Sequence, residues 1–147
     1  MKKKTALFLS IIFCFLVSSA FAEDVLKQLS INEALNNEKV KKSLYSEIAL
    51  YWGDQPHKKV IKNYGEFKTS KRTNAFMKTT KNACQWALAS AIKVLQNRAL
   101  REGGNAVINI KSNIKNNEIS SCSDFSCLAG SAMVNVALKG TVVKLAE

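Results

Sequence analysis

The segment that most constrains the fold is TTKNACQWALASAIKVLQNRALREGG, residues 79–104. Its small and apolar residues recur every three or four positions: Cys84, Leu88, Ala91, Leu95 and Ala99. This spacing predicts an amphipathic helix of about six turns, with one face suited to close packing on a sheet. Thr79 or Thr80 is suited to cap its start, and Gly103-Gly104 to end it, because glycine accepts the left-handed conformation that closes a helix.

Two runs with strand character follow the helix. In residues 106–111 apolar side chains alternate with Asn109 and Lys111, which predicts a strand with one wetter face. The β-branched run 131–145 predicts the last strand, with Gly140 as a bulge or bend. Residues 112–126 are polar and predict a loop, so these two strands are expected to form a hairpin.

The sequence upstream of the helix is less regular. Ile48, Leu50 and Trp52 alternate as in a strand, and residues 53–56 have turn composition. Residues 60–73 predict a second strand. Residues 23–44 predict a helical lead-in, in which Ser30 and Glu33 have capping-box spacing.

These elements predict an α+β fold. We expect one long amphipathic helix packed on a small, mostly antiparallel sheet with a β-α-β-β core, preceded by the helical lead-in.

Residues 1–22 have the three parts of a secretory signal peptide. Lys2–Lys4 are basic, residues 6–17 are an almost unbroken apolar run, and Ala20-Phe21-Ala22 matches the cleavage pattern. The apolar run is shorter than the roughly 20 residues of a spanning helix. We therefore expect cleavage after Ala22 and a single periplasmic or secreted domain, residues 23–147, without a membrane anchor.

The chain is basic, with a net charge of +11, and +8 remains without residues 1–22, which hold three lysines and no acid. Most of this excess lies between Lys58 and Lys81, where Glu66 is the one acid. A solvated surface is the simplest interpretation. The functional one is an anion-binding patch for an envelope component or another envelope protein. Its candidate residues are Lys58, Lys59, Lys62, Lys68, Lys71 and Arg72. Nucleic acid is not expected as a partner, because an exported protein seldom meets it.

Three cysteines remain after cleavage, Cys84, Cys122 and Cys127. Export favours a disulfide. The strand after the helix must run back along it, so the next strand starts near the helix start. This brings Cys127 toward Cys84 and favours a Cys84–Cys127 bond, with Cys84–Cys122 as runner-up and Cys122 otherwise a spare thiol beside Asp124. A Cys122–Cys127 bond is sterically possible, but it closes only a small loop.

Catalytic and cofactor signals are weak. The phosphate-binding loop of an ATPase is missing, and Lys139-Gly140-Thr141 has the wrong order, so no nucleotide or other cofactor is expected. The three thiols and His57 form an allowed zinc set, which keeps metal binding or thiol sensing open as an alternative. A pocket that joined Asp54, His57 and Cys84 would indicate an enzyme.

The runs LQNRALREGGNAVINIKS and CLAGSAMVNVALKG resemble small exported proteins of Gram-negative bacteria that are often mislabelled as excinuclease ATPase subunits. The resemblance begins at Trp52-Gly-Asp-Gln55 and covers most of the mature chain. More distantly, the order of helix, GGNAVINI and C-x-x-GSA resembles the Rcs stress-sensor lipoprotein and the YbjQ-like family of proposed heavy-metal binders. The resemblance implies a helix-on-sheet fold, and little about activity. The chain differs from the sensor in lacking its lipid-attachment cysteine and one of its four cysteines.

Overall fold

The structure is a computed structural model that describes residues 23–147, so the predicted signal peptide lies outside the described residues. Strands hold 45% of the described residues and helices 28%, so the sheet is the main element. The elements in chain order are β1 (Val25–Ser30), α1 (Ile31–Asn36), α2 (Glu38–Ser43), β2 (Ala49–Trp52), β3 (Val60–Asn74), α3 (Thr80–Glu102), β4 (Ala106–Ile114), β5 (Asn117–Ile119), β6 (Asp124–Ala129) and β7 (Met133–Leu145).

Strand β7 is the centre of one curled, mixed sheet of seven strands. One edge of β7 pairs with β3 along its whole length. Its other edge pairs with β4 and then with β6. Strand β4 also pairs with β2 and β5, and β6 pairs with β1. The β2–β4 pair is parallel and the other pairs are antiparallel.

Helix α3 covers one face of this sheet. Leu88, Ile92 and Leu95 are fully buried against the inward side chains of β7, among them Val136 and Leu138. Strand β4 approaches Gly140 closely, because a Cβ atom there would lie 2.7 Å from Val107 Cγ1, whereas Leu95 Cδ1 of the helix would be at an ordinary contact distance of 3.5 Å. Glycine is therefore required by packing. The predicted bulge lies opposite it on β4, between Ile108 and Lys111.

The ends of α3 confirm the capping predicted from the sequence. The Thr79 hydroxyl accepts a hydrogen bond from the Asn82 backbone N–H at 3.1 Å. Gly103 has φ +80°, the left-handed conformation in which its N–H closes the last turn. The predicted helix of about six turns is confirmed as the 23 residues of α3.

One buried polar side chain fixes the chain between α2 and β2. Gln96 on α3 is 1% exposed. Its amide oxygen accepts from the Tyr45 N–H at 2.9 Å, and its nitrogen donates to the carbonyls of Tyr45 and Ile48 at 2.9 and 3.1 Å. These bonds satisfy backbone groups that would otherwise be buried without partners.

The Cys84–Cys127 disulfide joins α3 to β6 with a Cα–Cα distance of 6.0 Å. Both cysteines are fully buried and belong to the main core. The predicted pairing is confirmed, although Cys127 lies in β6 and not at the start of the last strand. Cys122 is a free, exposed thiol.

The predicted fold class, one long helix on a small, mostly antiparallel sheet, is wrong. The sheet has seven strands and is mixed, and the short helices α1 and α2 accompany α3. The predicted helical lead-in begins instead as strand β1, and the Ser30 cap serves only the six-residue α1. The predicted loop 112–126 contains the end of β4, all of β5 and the start of β6.

The errors have a common cause. Strand β6 is buried at Phe125, Ser126 and Cys127 in succession, so its residues do not alternate between polar and apolar. Strand β1 is mostly exposed and takes its hydrogen bonds from β6. Both strands depend on pairing with distant residues, which local periodicity does not report. Strands β4 and β7 do pair, but two further strands lie between them in sequence, so they do not form a hairpin.

Removing the disulfide should destabilise the domain strongly. Its cysteines are 43 residues apart, and closing such a loop is worth on the order of 3–4 kcal/mol in the chain-entropy model. We expect the C84A/C127A variant to lose about this much free energy of unfolding in urea titrations. The control is C122A, which leaves the bond intact. Equal stability of the two variants would contradict a structural role for the disulfide.

Candidate anion-binding site

The predicted basic patch lies on and before β3. Lys58 and Lys59 precede the strand, and the other four candidates belong to it. Strand alternation divides them between two faces. Lys71 pairs with Val136 on the face that α3 covers, whereas Arg72 pairs with Asn135 on the opposite face. The patch is therefore a two-sided basic strand and not one continuous surface.

Strand β3 forms an edge of the sheet, since β7 is its only strand partner among residues 23–147. Lysines on such an edge oppose pairing with a second strand, because like charges would be brought together. Lys62 lies 5.0 Å from the centre of the Tyr64 ring. The Arg98 guanidinium, from α3, stacks 4.2 Å from the Phe67 ring. Part of the basic strand thus has a structural role.

The face opposite α3 carries a balanced group of ion pairs. Lys139 contacts Glu66 at 2.9 Å and also Glu118, and Lys111 contacts Glu118 at 3.1 Å. Hydrogen bonds from Lys139 and then Lys111 lower the pKa of Glu118 below its ordinary value. Hydrogen bonds to Glu118 and then Glu66 raise the pKa of Lys139. Two cations and two carboxylates are therefore engaged with one another.

Three further cations on this side have no carboxylate within 4.0 Å among the described residues. They are Lys68, Arg72 and Lys115. They line two adjoining surface depressions, each of about 310 Å³. The first depression includes Arg72, Lys115 and Asp24. The second is lined by Lys68, Thr69, Ser70, Asn113, Lys115, Asn116 and Ala137. The amide nitrogen of Asn135 donates to Ser70 Oγ at 2.9 Å, which links the walls of the two.

Lys115 is a residue of this surface that the sequence did not predict. Lys115 and Asn116 form the two-residue turn between β4 and β5, with φ of +51° and +62°. Positive φ at both positions is the hairpin geometry that asparagine accepts readily. The signal in the sequence was IKNNEI, where two turn residues separate short runs of strand character. It was hidden in a segment assigned as loop.

The candidate metal ligands do not come together. Cys84 and Cys127 are bonded to each other, which removes two of the four proposed zinc ligands. The His57 ring meets Tyr51 edge to face at 5.6 Å, and its Nδ1 lies 2.8 Å from the Lys58 carbonyl. Among residues 23–147, no group of three or more His, Cys, Asp or Glu side chains is arranged to hold a metal ion.

The spare thiol lies elsewhere than predicted. Cys122 Sγ donates to Asp54 Oδ1 at 3.0 Å and to the Trp52 carbonyl at 3.3 Å, so its partner is the β2–β3 turn and not Asp124. The hydrogen bond to Asp54 raises the pKa of Cys122, and the same bond lowers the pKa of Asp54. Asp54 thus contacts Cys122, whereas Cys84 is buried in the disulfide. The trio of Asp54, His57 and Cys84 that would indicate an enzyme is not assembled.

An apolar tip follows the basic strand. Phe76 is 75% exposed and Met77 is 90% exposed. The turn that presents them is held by backbone bonds from Ala75 N–H to the Ala132 carbonyl and from Lys78 N–H to the Ala75 carbonyl. We call Phe76 and Met77 the apolar tip. Large exposed apolar side chains next to cations are typical of a surface that meets a membrane or another amphiphile.

Comparisons with protein families, with curated proteins and with solved structures find no match to this chain. The resemblance to small exported proteins therefore stays a prediction. No helix within residues 23–147 has the length and apolar character needed to cross a bilayer.

Asp54 should control the reactivity of Cys122. Its hydrogen bond favours the protonated thiol, so D54N should lower the pKa of Cys122 and raise the thiolate fraction near pH 8. We expect faster alkylation by iodoacetamide in D54N than in the wild type, with the pH–rate curve moved to lower pH. The control is D124N, which changes an acid at the start of β6, two residues from Cys122 in sequence. An effect of D124N equal to that of D54N would contradict the observed contact.

Proposed function

We propose that this chain is an exported, non-enzymatic interaction module that binds an anionic, lipid-linked component of the cell envelope. The single observation that carries the proposal is the apolar tip at the end of the basic strand β3. A partner that bears both negative charge and acyl chains would match the two features together. Export is proposed because residues 1–22 have signal-peptide composition and a buried disulfide suits an oxidising compartment.

The charges of the basic strand are available for such contact. Lys58, Lys59, Lys62 and Lys71 are exposed, and Lys78 and Lys81 follow the apolar tip. Lys81 is paired with Glu33, which reduces its contribution. The other lysines attract polyanions through long-range Coulomb interactions, whose reach is about 8 Å at physiological ionic strength.

The alternative role in metal binding or thiol sensing is supported less well. The disulfide uses two thiols, and the hydrogen bond to Asp54 raises the pKa of the third, Cys122. A sensor thiol is instead expected to have a lowered pKa.

The K58Q/K59Q/K62Q/K71Q variant should bind anionic vesicles more weakly. Each lysine near such a surface contributes about 1 kcal/mol, so the loss should be at least tenfold. The measurement is co-sedimentation with vesicles that contain an anionic lipid, compared with vesicles of phosphatidylcholine alone, over a range of salt concentrations. K27Q/K39Q/K41Q/K42Q removes the same charge from another exposed part of the chain and is the control. Equal binding by the two variants, or binding that does not weaken with salt, would refute the proposal.

The apolar tip should act separately from the charges. F76S/M77S removes apolar contact and leaves every cation in place, so vesicle affinity should fall while its salt dependence stays unchanged. L100S removes an exposed apolar side chain elsewhere, on α3, and is the control. Unchanged affinity of F76S/M77S would remove the lipid-linked part of the proposal and leave only charge attraction.

A further inference from the structure

The second depression on the sheet face opposite α3 has the composition of a specific anion site. Lys68 and Ser70 reach it from β3, Asn113 from β4, and Lys115 and Asn116 from the hairpin turn. Ala137 of β7, 5% exposed, also lines it. None of the described residues that line it carries a carboxylate. Glu66 and Glu118, on the same face, are paired with Lys139 and Lys111. The depression therefore combines two positive charges with hydroxyl and amide donors.

Asn113 is the most informative of these residues. It is 6% exposed, and within residues 23–147 its side-chain amide makes no hydrogen bond to protein. The fully enclosed side-chain polar atoms without a partner among these residues are Trp52 Nε1 and Arg98 Nε, so the Asn113 amide reaches the open side of the depression. A ligand that binds there can form hydrogen bonds with it.

The turn between β4 and β5, which completes the depression, has a backbone conformation that few residue types adopt readily. Lys115 and Asn116 both have positive φ, and lysine seldom adopts it without a constraint. Lys68 Nζ lies 3.4 Å from Asn116 Oδ1, which links the turn to β3 across the depression. The arrangement places the cations of β3 and of the turn on either side of one space.

We propose that this depression, defined by Lys68, Ser70, Asn113, Lys115 and Asn116, binds the phosphate group of a sugar phosphate. The inference rests on the proposed function and names the chemical group recognised. A phosphate offers three peripheral oxygens, which suits donors that arrive from several directions, whereas a carboxylate offers two in one plane.

The adjoining depression is suited to the sugar to which the phosphate is attached. It contains Arg72 as a donor and Asp24 as an acceptor, with Asn135 at the junction. A donor and an acceptor together suit the hydroxyl groups of a sugar, and the carboxylate of Asp24 repels a second phosphate. Each depression, at about 310 Å³, has the volume of a small-ligand pocket.

The test uses glucose 1-phosphate as the probe, titrated by calorimetry into the mature protein at physiological salt, with glucose and inorganic phosphate as comparisons. We expect saturable binding of glucose 1-phosphate, displacement by inorganic phosphate, and weaker binding of glucose. K68Q/K115Q should lose at least about tenfold in affinity, since it removes both charge-assisted hydrogen bonds. N113A should also weaken binding, while K58Q/K59Q, outside the depression, should not.

The outcomes distinguish failure of the sugar-phosphate site from failure of the proposed envelope binding. No saturable binding of glucose 1-phosphate, or equal loss in K58Q/K59Q and K68Q/K115Q, would overturn this inference, even where vesicle binding that depends on the basic strand persists. Saturable binding lost in K68Q/K115Q supports it, even where vesicle binding fails. Competition by vesicles containing a phosphorylated glycolipid such as lipid A would identify a lipid-linked source, and lack of competition a soluble sugar phosphate. Circular dichroism of each variant verifies folding, and both lysines are exposed.

Discussion

The disulfide between Cys84 and Cys127 fixes how the helix lies on the sheet. It joins the first turns of α3 to β6, the strand that also carries β1 and contacts β7. Because α3 is fixed there, its stripe of small and apolar residues stays against β7. Gln96 then holds the segment before β2 on the same helix. The layer of α3 covers one face, and on the other face a smaller buried cluster of Ala106, Val143 and Leu145 lies at one end of the sheet.

On the sheet face opposite α3, ion pairing decides which charges remain free to act on a ligand. Glu66 and Glu118 engage Lys139 and Lys111, so these four groups contribute little net field. The cations left without carboxylate partners among the described residues lie beside them, around two depressions. On the proposed function, charge on the edge strand would attract an anionic partner from a distance, and the depressions would select its chemical group at short range.

Local sequence patterns were sufficient to predict an element where its own residues carry a clear periodicity or end signal. The helix α3, its caps at Thr79 and Gly103, and strands β4 and β7 followed from periodicity and glycine placement. The strands β1, β5 and β6 did not, since their stability comes from pairing with distant residues. The same limit applies to the site. The charge run pointed to Lys68, but only the register of β3, β7 and the hairpin turn brings Asn113 and Lys115 beside it.

The most direct test is a peptide map of the protein recovered from the exported fractions of a Gram-negative host, with free thiols blocked during lysis. Export predicts a chain that begins at Glu23. The disulfide predicts a linked peptide pair containing Cys84 and Cys127, with the blocking label on Cys122 alone. A chain that still carries residues 1–22 would contradict export with cleavage, and three labelled cysteines in the exported material would contradict the disulfide.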